Sequence, residues 1–111
     1  MPNRWEMDTD QYHLELTTDT PVAGEELMIT QLMVELRAWK TRIPLVDLKF
    51  QRTAPDVYDY VVNFDAGRSN FNQINGTYVE GELVPSVTNV RRLCVSLTRV
   101  YGIDKLEIVW V

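Results

Sequence analysis

Leu45-Val-Asp-Leu-Lys-Phe-Gln-Arg-Thr-Ala-Pro-Asp-Val-Tyr-Asp-Tyr-Val-Val-Asn-Phe-Asp65 lies near the centre of the 111-residue chain and decides how the rest is read. Val46, Leu48 and Phe50 fall on one side of the first half, with Asp47, Lys49 and Gln51 on the other. That period of two is the mark of a half-buried strand, expected over 45–52. Thr53-Ala54-Pro55-Asp56 is a tight connection, because proline fixes one turn dihedral and aspartate bonds readily to nearby backbone. In the second half, Tyr58, Tyr60, Val62 and Phe64 share a face, while Asp59 and Asn63 share the other with Val57 and Val61. The stretch reads as a β-hairpin with one apolar face, and such a face must be covered.

The cover is supplied on either side. Upstream, Thr20-Pro21 opens a helix with a hydroxyl cap and a first-turn proline, and Glu25 and Glu26 suit the positive end of its dipole. Leu27, Met28, Leu32, Leu36, Trp39 and Ile43 recur at three- and four-residue steps as a core-facing stripe, and Pro44 stops the helix. Downstream, Pro85-Ser86 opens a second helix with Val87, Val90, Cys94, Leu97 and Tyr101 at helical spacing. Gly102 closes it in the left-handed conformation.

Beyond the helices, Tyr12, Leu14 and Leu16 alternate as a first strand, and Leu106, Ile108 and Trp110 point inward from a last one. Thr77–Val84 adds a short edge strand. The order βαββ(β)αβ predicts an α+β domain of ferredoxin-like kind, an antiparallel sheet with two helices packed on one face. Residues 1–10 are expected as a polar N-terminal arm, and 11–111 as a single domain.

Composition narrows the function classes. A hydrophobic content of 45% and a charged content of 24% are ordinary for a globular domain. No stretch approaches the ~18 apolar residues of a membrane span, and the first residues hold no apolar run that would serve as a secretory signal. A single cysteine leaves no internal disulfide, so a cytoplasmic home is expected. The net charge of −5 is concentrated in residues 1–26, which hold seven acids against Arg4 alone. That balance disfavours nucleic acid and anionic membranes. Tyr58, Tyr60 and Phe64 are expected under the helices rather than on a base-stacking surface.

Few residues point to chemistry. His13 is the only histidine and falls on the outer sheet face beside Glu15 or Asp59, where it could serve as an acid-base group. Cys94 lies on an apolar helix stripe and reads as a buried hydrophobe, not a nucleophile. Asp8 and Asp10, with His13 just beyond and Glu80 and Glu82 elsewhere, offer ligands for Mg²⁺ or Ca²⁺, but nothing in the sequence requires them to converge and no calcium-loop spacing is present, so neither metal nor cofactor is expected. No phosphate-cradling glycine loop, CxxC pair or glycine-flanked nucleophilic serine is present.

Residues 66–76 have neither helical nor strand period and read as a long loop, a usual place for function. Arg68, Asn70, Phe71, Asn72 and Gln73 supply an arginine, an aromatic anchor and adaptable amides, and Trp5 adds an aromatic on the arm. The expected function is therefore a small protein-protein interaction module: an adaptor, inhibitor or accessory factor. Its partner would be another protein, or a second copy meeting the outer sheet face through Val57, Val61, Val109 and Val111. The competing reading is a small-ligand protein or modest enzyme using His13, with a pocket at the helix–sheet or dimer interface.

Overall fold

The computed structural model describes residues 3–18, 25–67 and 70–111. The central hairpin is present as β3 (Leu45–Ala54) and β4 (Val57–Gly67), with Leu48 opposite Val62 and Phe50 opposite Tyr60. Asp56 takes the left-handed turn conformation (φ 62°), which short polar side chains tolerate better than most. The Phe50 and Tyr58 rings stack with centroids 4.9 Å apart. One detail departs from simple alternation. The β3 register shifts between Leu45 and Asp47, so Leu45 enters the core and Val46 is only half-buried. A bulge of this kind offsets the alternation by one residue.

Four further strands complete one sheet: β1 (Asn3–Asp8), β2 (Tyr12–Thr18), β5 (Asn70–Val79) and β6 (Ile103–Trp110), in the order β1-β2-β6-β3-β4-β5. Every neighbouring pair is antiparallel. The α+β class stands, but the strand order is not ferredoxin-like. In that arrangement the third strand of the βαββαβ unit fills the gap between the first two. Here the last strand, β6, fills the gap between β2 and β3, and β4 lies outside β3.

Two expectations for irregular chain are also corrected. Asn3–Asp8, read as part of a polar arm, pairs along β2 from Asn3↔Thr18 to Asp8↔His13. Asn70–Val79, most of the expected 66–76 loop, pairs along β4. Gly76 shows why its pattern hides a strand. It lies opposite Tyr60, and a Cβ there would stand 3.0 Å from the Tyr60 hydroxyl, so the aromatic ring occupies the space of the missing side chain. The edge strand expected over 77–84 ends at Val79.

The helices lie on one face. α1 (Glu25–Arg42) buries Met28, Leu32, Met33, Leu36 and Trp39, whereas Leu27, expected in the stripe, is 62% exposed. Its expected Thr20-Pro21 start lies outside the described residues. α2 begins at Thr88, later than Pro85-Ser86 implied, runs to Val95 and continues as a π-helical turn over Ser96–Val100. Gly102 (φ 62°) then turns the chain into β6. Ser96 Oγ donates to both Glu35 carboxylate oxygens at 2.7 Å, tying the π turn to α1. Among the described residues no helix is long and apolar enough to cross a membrane.

The core runs in rows across the sheet. Met7, Leu14, Ile108, Leu48, Val62 and Ile74 form one row, and Trp5, Leu16, Leu106, Phe50 and Tyr60 the next. The helices bury Leu32, Leu36, Leu93 and Leu97 completely against this surface. Leu36→Ala is expected to cost about 2–5 kcal/mol, a lost side chain plus a cavity. Leu27→Ala is expected to stay within about 0.5 kcal/mol, as surface changes do. Urea denaturation of the two variants separates the buried stripe from the periodicity that included Leu27.

Candidate functional site

The residues singled out for partner binding are dispersed by the fold. Asn70, Phe71, Asn72 and Gln73 stand on β5, opposite Gly67, Asp65, Phe64 and Asn63 respectively. Arg68 lies outside the described residues. Trp5 is on β1, at the other margin of the sheet. Five inter-strand spacings of roughly 4.8 Å put the two margins about 24 Å apart, so Trp5 does not share a site with the β5 residues. Trp5 also faces the helix layer. It is half-buried and lines a cleft of about 570 Å³ with Met7, Glu26, Ile29 and Thr30.

The face opposite the helices carries the polar set. Asp8, His13, Val109, Asp47, Asn63 and Gln73 form one row across it, and Glu6, Glu15, Glu107, Lys49, Val61 and Asn75 the next. On the β5 side these groups bind one another. Asn63 Nδ2 donates to Asp47, Gln73 Nε2 donates to Asn63 at 3.0 Å, and Asn75 Nδ2 donates to Gln73 at 3.1 Å. Thr77 Oγ1 donates to Asp59 at 3.1 Å. The Asn63–Gln73 and Asp59–Thr77 bonds cross from β4 to β5 and support the register set by the pairing of Ile74 with Val62 and Tyr78 with Tyr58.

The two margins of the sheet differ sharply. β1 is six residues long and carries Arg4, Glu6 and Asp8. β5 is ten residues long, Asn-Phe-Asn-Gln-Ile-Asn-Gly-Thr-Tyr-Val, with no charge and no proline. Among the described residues β5 is hydrogen-bonded to β4 alone. Sequence reasoning named four of its residues through their side-chain chemistry but missed the strand, since asparagine and glycine are depleted in strands generally.

His13 stands between carboxylates, with Nε2 3.5 Å from Glu15 and Nδ1 3.8 Å from Asp8. Asp59, the other expected neighbour, bonds Thr77 at the β4–β5 end. The aromatic rings of Tyr58 and Tyr60 are buried in the core beneath the helices. Comparison with protein-family models, curated proteins and solved structures finds no match for this chain.

Cys94 is 2% exposed, and burial pushes its thiol up to about 12. Burial likewise raises Tyr58, Tyr60 and Tyr101, aided by the charge of Glu80 at Tyr58 and of Glu35 at Tyr101. In the unfolded chain the thiol ionises first, near the ordinary value of 9.0. The folded state therefore holds this proton more tightly, and the stabilisation is complete below pH 9 and is lost as the pH climbs toward 12. Native Cys94 is expected to react with a disulfide reagent at pH ~8 about a thousandfold more slowly than in urea, following the thiolate fraction. Stability measured by denaturant is expected to decline above pH ~9.

Proposed function

We propose that this protein is a protein-binding module that receives an extended segment of its partner along the open edge of β5. The observation that carries this reading is the contrast between the two sheet margins. An unpaired strand edge presents a row of backbone donors and acceptors, and proteins ordinarily blunt such edges with charges, proline or short length. β1 carries those charges; β5, at ten residues, carries neither charge nor proline. Backbone pairing there supplies affinity, and side chains alternating to either face supply selectivity.

The residue types on β5 suit that work. Asn72 and Gln73 point to opposite faces and each can donate and accept, and Ile74 is half-buried at the margin of the core. Phe71 adds an aromatic within the same strand. The module acts by binding, as a cytoplasmic adaptor, inhibitor or accessory factor. The outer face is a poorer platform for a second copy. Its valines are dispersed among charged residues, and Val61 is already half-buried.

The test begins with the partner retained when the protein is purified gently from its own source. Hydrogen exchange of the complex is expected to show new protection at the amides of 70–79. Asn72→Lys with Asn75→Lys, which restores charge to the edge, is expected to weaken partner binding at least tenfold. The same pair is expected to leave stability within about 1 kcal/mol. Protection confined to the helices or the β1 margin, or undiminished binding by the lysine variant, would rule out the β5 mode. A homodimer with protected 70–79 amides would make the partner a second copy.

A further inference from the structure

We infer that Glu6, His13 and Glu15 form a binding site for a divalent transition cation of the zinc class, at the opposite end of the sheet from β5. One donor atom from each of the three lies within 4.8 Å of the others. The strands explain the convergence. Glu6 and Glu15 are register partners across β1 and β2, and His13 is two residues before Glu15 on the same face. Antiparallel pairing thus sets an imidazole and two carboxylates around one point on a rigid surface.

The distances fit a shared ion. Two donors each roughly 2.0–2.1 Å from a tetrahedral ion stand about 3.4 Å apart. His13 Nε2 and Glu15 Oε1 are 3.5 Å apart. Glu6 comes from the exposed margin strand, so its side chain can close the remaining gap by a rotamer change; its present contact is Arg4, 3.4 Å from Oε2. The other His13 nitrogen, Nδ1, faces Asp8 at 3.8 Å. At that distance Asp8 makes no hydrogen bond to the ring, and its charge adds to the field that draws a cation.

Electrostatics favours a cation here. Glu6, Glu15 and Glu107 succeed one another directly across β1, β2 and β6. Like charges opposed in this way are unfavourable in a sheet. Arg4 reaches the outermost of the three, and Lys49 reaches the innermost at 3.9 Å, leaving Glu15 between them against His13. The His13 and Glu15 side chains are only 35% and 30% exposed, so their interaction with an ion is less screened than on an open surface. The imidazole nitrogen selects a borderline ion such as Zn²⁺ over Mg²⁺ or Ca²⁺. Three protein donors leave a fourth position open to water or to a ligand.

Calorimetric titration of the full chain with Zn²⁺ tests the site, with proton NMR of the single imidazole as a second readout. One saturable equivalent is expected, with displacement of the His13 ring resonances. His13→Gln, Glu6→Gln and Glu15→Gln are each expected to weaken binding at least tenfold. Asp8→Asn, which removes a charge 3.8 Å from the ring, is expected to weaken it less than the three ligand changes do. Asp59→Asn, at the far side of the sheet, is expected to leave it unchanged. Circular dichroism melts establish that each variant is folded, and Glu15→Gln keeps the shape of its site should His13→Gln fail to fold. No saturable binding below about 1 mM, or binding undiminished in the folded His13 and Glu15 variants, would overturn the site.

Discussion

β6 is the constraint on which the fold depends. β1 and β2 form one antiparallel ribbon, and β3, β4 and β5 form another, and among the described residues no ladder joins the two except through β6. Leu106 and Ile108 sit between Leu16 and Phe50 and between Leu14 and Leu48, so both core rows are continuous only when β6 is in place. The strand arrives last in the chain, yet it is central. Its pairing with β2 must close a loop of nearly the whole sequence, a non-local contact with a large closure entropy. α1 spans the resulting seam. Its Arg37 lies over Tyr12 of β2 and its Lys40 over Trp110 of β6.

With both helices on one face, the sheet has two unlike surfaces and two unlike margins. The buried surface is built from leucines, other aliphatics and aromatics, and among the described residues Thr18 is the one buried residue of the polar and charged class. The outer surface is divided by strand. Carboxylates and the imidazole crowd β1, β2 and β6, while across β3, β4 and β5 amides and a hydroxyl bond one another and the carboxylates of Asp47 and Asp59. The charged margin resists addition of another strand and offers donors to a cation. At the uncharged margin Gln73, Asn75 and Thr77 bond neighbouring side chains. The two functional readings thus occupy opposite ends of one sheet and stand or fall separately.

The local part of this architecture was legible in the residues. Alternation in 45–65 gave the hairpin and its buried face, and the three- and four-residue spacing of Leu32, Leu36 and Trp39 gave α1. The seclusion of Cys94 and of Tyr58 and Tyr60 followed from the same periodicities. What escaped were segments whose side chains do not announce their backbone. Asn70–Val79 is polar and glycine-bearing, and its strand state depends on Tyr60 filling the space above Gly76 and on amide bonds to Asn63. Asn3–Asp8 reads as a charged tail until Trp5 and Met7 are seen against α1. Leu27 keeps helical spacing yet is exposed, because periodicity says which side a residue faces and not how far the covering layer extends.

The sequence by itself determined the two helices, the central hairpin, the apolar faces of β2, β4 and β6 and the class α+β, because these follow from short-range periodicity and turn chemistry. Strand order was decided only by tertiary structure. Several orders bury the same faces, and the choice rests on which long-range pairings fit together in three dimensions. That choice put β6 at the centre and left β5 at one margin. It also separated Trp5 from the β5 residues, while the local β1–β2 pairing brought Glu6 across to Glu15. Side-chain chemistry named the candidate residues, but their assembly into sites depended on which strands became neighbours.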